Sequence, residues 1–240
     1  MRGHRLLASL IILLSATLLD ASDVKISQLL PVDIKLTDQP ALQRGARVFM
    51  NYCSGCHSLR YLRFDRMAID LGLVTVNGKP DEQLASNLIF THAQINDPIK
   101  INMPPTEARQ WFGTVPPDLS LIARVRSPSW LYTYLKSFYP DSSRPFGSNN
   151  VLIPDVAMPN VFAPLAEHTQ AGGLSEDEFN GILQDVVTFL VYAGEPSKLV
   201  RYRMGVFVIV FLSVFLVVIY LLKKSYWRKV LVAGKKHIPL

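Results

Sequence analysis

The sequence predicts a mostly α-helical fold with extended loops and one C-terminal transmembrane helix. Apolar side chains recur at helical spacing in three stretches, around residues 42–50, 130–138 and 179–190, and patterns typical of strands are sparse. A separate run of nineteen residues, Met204–Leu222, contains no charged side chain. A chain of 240 residues is long enough for one sizeable domain with accessory segments at its two ends.

The N-terminal residues have the pattern of a secretory signal. Two arginines and a histidine within the first five residues precede an apolar run from Leu6 to Leu19, and small residues follow near Ala21. A positive start, a short apolar centre and a small-residue end are typical of a cleaved signal peptide rather than of a membrane span. We therefore predict a signal peptide at 1–21 and an exported domain at 22–196.

The C-terminal apolar run has the length of a membrane anchor. A helix over residues 204–222 would span roughly 29 Å, about the thickness of the hydrocarbon core of a bilayer. A basic linker, 197–203, precedes it, and a tail, 223–240, carries six lysines and arginines that suit anionic lipid headgroups. Because the more positive flank stays in the cytoplasm, we predict a single-pass protein of the bacterial inner membrane with a periplasmic domain and a cytoplasmic C-terminus.

The net charge of +6 does not indicate nucleic-acid binding, because the excess of basic residues lies at the two ends of the chain. Residues 22–197 contain fourteen basic and eighteen acidic side chains, a net charge of −4. A mildly acidic exported domain suits a soluble partner with a basic or mixed-charge surface.

Capping residues predict where the helices of the exported domain begin. The capping positions are Asp38 before Pro40, Asp81, Ser127 before Pro128, and the Ser175–Glu178 capping box. Two segments between these helices are predicted to be loops: the proline-rich segment 91–117, where the prolines are expected to exclude regular helix, and the turn-rich segment 139–150.

Both cysteines of the chain lie in one motif, Cys53-Ser54-Gly55-Cys56-His57. Two thiols at this spacing can form thioether bonds with the two vinyl groups of a haem, and the adjacent imidazole can then bind the iron. A zinc site would need further cysteine or histidine ligands, and a thioredoxin-like dithiol would need a βαβ pattern nearby. Neither is evident, so the motif predicts one covalently bound haem c.

Gly45 interrupts the predicted first helix. A glycine inside a helix costs ~1 kcal/mol relative to alanine, so a close contact at this position is expected. In small cytochromes c the first and last helices cross at a glycine and an aromatic residue. We therefore expect the last helix of the exported domain to cross the first at Gly45, with Phe189 or Tyr192 nearby and Phe49 as the aromatic residue of the first helix.

A haem that only transfers electrons needs a second axial ligand, and a methionine thioether raises its reduction potential. Met50 lies too close to Cys53 to reach the opposite face, and Met67 is interpreted as a core residue. The remaining candidates are Met158, on a loop just before the last helix, and Met103 in the proline-rich segment. We favour Met158 because small cytochromes c bring their distal ligand from this position. His92 and His168 are the alternatives for a bis-histidine haem.

The order of these features resembles the cytochrome c1 family, the haem subunit of the cytochrome bc1 complex (ubiquinol:cytochrome c reductase), in its bacterial form. The resemblance runs from about Thr37 to Trp227. Besides the haem motif, it rests on Pro116-Pro117-Asp118-Leu119-Ser120, on Met158-Pro159 and on the single anchor. It implies a class I cytochrome c-like haem domain.

The resemblance implies specific roles for seven residues. Cys53 and Cys56 would form the thioether bonds, and the iron ligands would be His57 and Met158. The other three would surround the haem: Pro117 at its edge, and Arg126 and Tyr132 facing a propionate. The sequence departs from the family at Gln110-Trp111-Phe112, where small residues and asparagine are usual.

The resemblance also implies the function. One electron at a time would pass from a Rieske iron–sulfur protein to this haem and then to a soluble cytochrome c, within a respiratory complex that includes cytochrome b. No independent catalytic site is predicted, because the iron only changes its oxidation state.

Two alternatives stay open from the sequence. One is a free-standing membrane-anchored cytochrome that serves a terminal oxidase or a periplasmic dehydrogenase. The other is a ligand-binding haem sensor with an open distal side, which requires that Met158 does not bind the iron.

Overall fold

The structure is a computed structural model that describes residues 29–89 and 91–235. The predicted signal peptide, 1–21, and the cleavage position lie outside the described residues, as do the last five residues of the tail.

The described residues form nine helices and four short strands. The helices are α1 Gln39–Tyr52, α2 Phe64–Asp70, α3 Glu82–Ser86, α4 Pro105–Phe112, α5 Ile122–Val125, α6 Pro128–Lys136, α7 Ala163–Gln170, α8 Glu176–Gly194 and α9 Lys198–Lys235. The strands are β1 Leu59–Arg63, β2 Pro98–Ile99, β3 Phe138–Pro140 and β4 Ser148–Asn150. Helices make up more than half of the described residues, which confirms the mostly α-helical prediction.

The predicted capping residues begin their helices. The side chain of Asp38 accepts a hydrogen bond from the Ala41 amide, and the Ser127 hydroxyl accepts one from the Trp130 amide. Ser175 and Glu178 form the reciprocal capping box at the start of α8. These side chains satisfy amides that have no partner within the first turn of a helix, so the helix starts could be located from sequence.

The centre of the domain is the crossing of α1 and α8. A Cβ atom on Gly45 would overlap with the backbone oxygen of Asp185 and come within 2.8 Å of the Cβ of Phe189. The rings of Phe49 and Phe189 lie 5.7 Å apart, and both side chains are fully buried. The glycine therefore allows the two backbones to approach closely, as the sequence predicted.

A bidentate ion pair flanks this crossing. The Arg44 guanidinium donates to the Asp185 carboxylate, with N–O distances of 2.6 and 3.2 Å, and the pKa of Arg44 is raised by this hydrogen bond. Asp185 is buried, so the pairing also satisfies a carboxylate within the helix interface.

The two segments predicted as loops contain regular structure, so those predictions were wrong in part. Segment 91–117 includes β2, which pairs with β1 in antiparallel orientation, and α4, whose first turn accepts Pro105 because amides there need no helical partner. Segment 139–150 includes most of an antiparallel ribbon of β3 and β4. Short strands with few apolar residues leave no clear sequence pattern.

Helix α9 extends away from the domain. Residues 198–228 are long and apolar enough to cross a membrane, and none of the most apolar part of this span is buried against the rest of the protein. Because α9 begins at Lys198, most of the predicted linker is helical. Glu195, just before the helix, accepts from Arg201 at 2.6 Å and lies 3.5 Å from Arg124 of α5.

Candidate haem site

A cavity of about 350 Å³ opens between the end of α1, helices α6 and α8, and the loops around residues 117 and 158. Its walls are mainly apolar. Six of the seven predicted site residues line it, namely Cys53, Cys56, His57, Pro117, Arg126 and Met158. The fold thus brings together side chains that are more than one hundred residues apart in the sequence.

The cysteines lie in the turn that ends α1. The Cys53 amide donates to the Phe49 carbonyl, and the His57 amide donates to the Cys53 carbonyl at 2.8 Å. Both cysteines are unpaired thiols, and burial raises the pKa of Cys53 to about 12 and that of Cys56 above its usual value. The turn therefore presents two protonated thiols and one imidazole to the same cavity.

His57 is held in one tautomer. Its Nδ1 atom lies 2.7 Å from the carbonyl oxygen of Pro117, which can only accept, so Nδ1 carries the proton. Burial lowers the pKa of His57, which favours the neutral imidazole. The Nε2 atom therefore retains its lone pair, the form of histidine that binds a metal.

The Pro116–Ser120 motif is attached to the chain segment that follows His57. Asp118 accepts from the amides of Arg60 and Ser120, at 3.0 and 2.9 Å. The Ser120 hydroxyl accepts from the Tyr61 amide at 3.1 Å, and the Leu119 amide donates to the Ser58 carbonyl. These bonds fix the position of the Pro117 carbonyl and, through it, that of the imidazole. Spacing in the sequence gives no indication of this contact.

Met158 also lines the cavity, from the loop between β4 and α7. Its sulfur accepts a hydrogen bond from the Tyr134 hydroxyl at 3.4 Å. Met103, His92 and His168 do not line the cavity, and the two histidines are exposed. The location of Met158 therefore supports its selection as the candidate ligand over these three alternatives.

The predicted propionate side of the site contains a further aromatic residue. The Arg126 guanidinium lies over the ring of Trp130, with its carbon 4.8 Å from the ring centre. Trp130 lines the cavity, and its Nε1 is buried without a hydrogen-bond partner among the described residues. Tyr132 is buried but does not line the cavity, so its predicted contact with a propionate stays a prediction.

Trp130 and Tyr134 also belong to the site, although the sequence did not predict a role for either of them. Both belong to the row of apolar side chains along one face of α6, and both line the cavity. This apolar pattern predicts that the side chains are buried, but it does not distinguish a core residue from a residue in a cavity wall. At the departure from the family pattern, Phe112 lines the cavity and its ring lies 5.4 Å from that of Phe146, whereas Trp111 is exposed.

The donor set fits the haem predicted from the motif. A haem c needs two thiols on one side, an imidazole and a second axial ligand on opposite faces, and an apolar enclosure. The cavity is lined by two thiols, an imidazole, a thioether and mainly apolar side chains, together with an arginine that could pair with a carboxylate. No cluster of three or more His, Cys, Asp or Glu residues suited to a metal ion occurs in residues 29–89 and 91–235.

Comparisons with known proteins show which family this chain resembles. Residues 33–230 match the family described as "Cytochrome C1 family". A cytochrome c1 of Allochromatium vinosum is 44% identical, and the alignment covers 95% of this chain and 99% of the relative. A protein of Nitrosomonas europaea named "Ammonia monooxygenase gamma subunit" is 38% identical, over 83% of this chain and 87% of its own.

A solved chain described as "Hyperthermophilic respiratory Complex III" is similar at a TM-score of 0.47 and 18% identity, with 95% of each chain covered. The family match spans the cavity, the loops around it and most of α9. The chain therefore belongs to the cytochrome c1 family.

Proposed function

We propose that this protein transfers single electrons through a covalently bound haem c as a subunit of a quinol:cytochrome c reductase, the cytochrome bc1 complex. Members of the cytochrome c1 family carry one such haem. The observation that carries the proposal is that the Cys-x-x-Cys-His turn and Met158, about one hundred residues apart in the sequence, line the same cavity.

Each of the six predicted site residues that line the cavity has a defined part in this proposal. Cys53 and Cys56 would attach the haem, and His57 and Met158 would bind its iron. The haem would supply the redox change, and the chain would supply ligands, enclosure and orientation. The Pro117 carbonyl would orient the imidazole, and Arg126 would balance the charge of a propionate. The electron transfer itself requires no proton abstraction and no nucleophilic attack by these residues.

The partners follow from membership of the family. Cytochrome b and a Rieske iron–sulfur protein would accompany this chain in the membrane, and the Rieske protein would be the electron donor. A soluble cytochrome c would be the acceptor, and the mildly acidic charge of the exported domain suits a basic surface on such a partner. Nucleic acid is not a proposed partner.

The arrangement in the membrane follows from charge and length. Helix α9 would cross the bacterial inner membrane once, with the haem domain in the periplasm and the lysine-rich tail in the cytoplasm. This arrangement would keep the haem near the membrane surface, where a mobile donor domain can reach it.

The ligand assignment can be tested with absorption spectra of the purified, full-length protein as wild type, Met158→Leu and Met103→Leu. We expect wild type and Met103→Leu to show a low-spin, methionine-ligated haem that does not bind carbon monoxide. Met158→Leu should lose this spectrum and bind carbon monoxide when reduced. If Met158→Leu behaves like wild type, Met158 is not the ligand.

Carbon monoxide binding by the wild type would instead favour the haem sensor. Assembly is tested separately by gentle detergent extraction of the complex. Cytochrome b and a Rieske protein should co-purify with this chain, and purification without them would favour a free-standing cytochrome.

A further inference from the structure

The hydroxyl of Tyr134 contacts the proposed second ligand directly. Its oxygen lies 3.4 Å from the sulfur of Met158, close enough for a hydrogen bond to a thioether. Within the described residues, it is the one side-chain hydrogen bond that the Met158 sulfur accepts. A thioether sulfur has two lone pairs, so it can bind a metal with one and accept from a hydroxyl with the other.

The Tyr134 ring is held from two sides. It stacks on Trp130, with the ring centres 5.1 Å apart and the planes 8° from parallel. The ring of Phe138 meets it edge-on, with centres 5.2 Å apart. Because both neighbours contact the ring rather than the hydroxyl, replacing tyrosine with phenylalanine would remove one hydrogen bond and leave this packing in place.

The backbone of Tyr134 is also joined to the loop that carries Met158. Asn150 is fully buried; its side-chain nitrogen donates to the Tyr134 carbonyl at 2.8 Å, and its side-chain oxygen accepts from the Leu152 amide at 2.9 Å. At the other end of the loop, the Asn160 amide donates to the Ser148 hydroxyl at 3.1 Å. Strand β4 therefore holds both ends of the loop and connects it to α6.

We propose that Tyr134 is a positioning residue for Met158, whose hydroxyl orients the thioether and raises the reduction potential of the haem iron. This inference rests on the proposed function, because it takes Met158 as the axial ligand. The hydroxyl hydrogen carries partial positive charge and draws electron density from the sulfur. A sulfur that donates less to the iron stabilises the ferric state less, so the potential is higher with the hydrogen bond than without it.

The test compares wild type, Tyr134→Phe and Tyr139→Phe in the full-length, haem-loaded protein. Tyr139 is the control, because it is exposed on β3 and does not line the cavity. The readouts are the midpoint potential and the sulfur-to-iron charge-transfer absorption band. In Tyr134→Phe we expect a lower midpoint potential and a shifted or weakened band. The ratio of ferric to ferrous protein at a fixed applied potential should rise by up to about fivefold, the limit reached if the whole of one ordinary hydrogen bond depended on the oxidation state.

Three results would contradict either this inference or the ligand assignment on which it rests. A Tyr134→Phe protein with the potential and band of wild type would overturn the inference. An equal shift in Tyr139→Phe would also overturn it, because the effect would then not depend on the contact with Met158. A wild type that lacks the charge-transfer band would contradict the ligand assignment itself, so failure of the proposed function is distinguishable from failure of this inference.

Discussion

At the scale of single residues, the site depends on side chains that hold other side chains. His57 needs the Pro117 carbonyl to keep its tautomer, and the loop carrying that carbonyl is held by Asp118. One carboxylate thus accepts from two backbone amides on two different segments. Asp118 therefore positions the imidazole of His57 although it forms no hydrogen bond to it.

We predict that Asp118→Ala lowers the free energy of unfolding by about 1–3 kcal/mol, because two amides lose their acceptor. The measurement is denaturant unfolding of the purified protein, followed by far-ultraviolet circular dichroism and by haem absorbance. Asp33→Ala is the control: Asp33 forms only an exposed pair with Lys35, and its loss should change stability by less than about 0.5 kcal/mol. Equal stability of the two variants would contradict the role given to Asp118.

At the scale of elements, the crossing of α1 and α8 places the haem motif. Helix α1 ends at the cysteines, and α8 contributes Val186 and Leu190 to the wall of the cavity. The distance between α1 and α8 therefore sets the position of the haem motif relative to the cavity wall that α8 forms. Gly45 permits this separation, since any side chain would meet the backbone of Asp185.

Gly45→Ala should destabilise the domain by about 1–3 kcal/mol or more, because the new methyl group must displace backbone. Gly181→Ala provides the matched control within α8: it is exposed and has no atom within 4 Å of the added methyl group. That change should raise stability by about 0.5–1 kcal/mol. Thermal and denaturant unfolding of the two variants measure both effects, and a neutral Gly45→Ala would show that the helices can separate without cost.

At the scale of the whole molecule, the haem domain and the anchor have separate roles. The apolar core of the domain is built by α1, α8 and the elements around the cavity. The apolar span of α9 contributes no buried surface to it. One direct link between the haem domain and α9 is the Glu195–Arg201 ion pair. The arginine is more than half exposed, so this pair contributes little stability.

A chain that ends after Pro196 should therefore be released as a water-soluble domain with the absorption spectrum of the full-length protein. Membrane fractionation and spectra of the two forms test this expectation. The full-length chain should stay in the membrane fraction until detergent is added. A truncated form that remains in the membrane, or that loses its haem spectrum, would contradict the separation of roles.

Local patterns in the sequence were enough to predict much of this protein. The capping residues located the starts of α1, α3, α6 and α8; the interrupted helix predicted the close contact at Gly45; and hydropathy predicted the C-terminal apolar helix. The Cys-x-x-Cys-His motif predicted the cofactor carried by the family. Each of these features depends on residues within a few turns of one another, so sequence spacing contains the information.

Beyond the crossing at Gly45, only the tertiary structure decided which distant residues meet. The contacts between His57 and Pro117 and between Tyr134 and Met158 join segments 60 and 24 residues apart, and no periodicity predicts them. The same holds for the difference between Tyr132, which is buried outside the cavity wall, and Tyr134, which faces Met158. Side chains two positions apart on a helix point to different sides of that helix. Which side faces the cavity depends on the elements that pack around the helix.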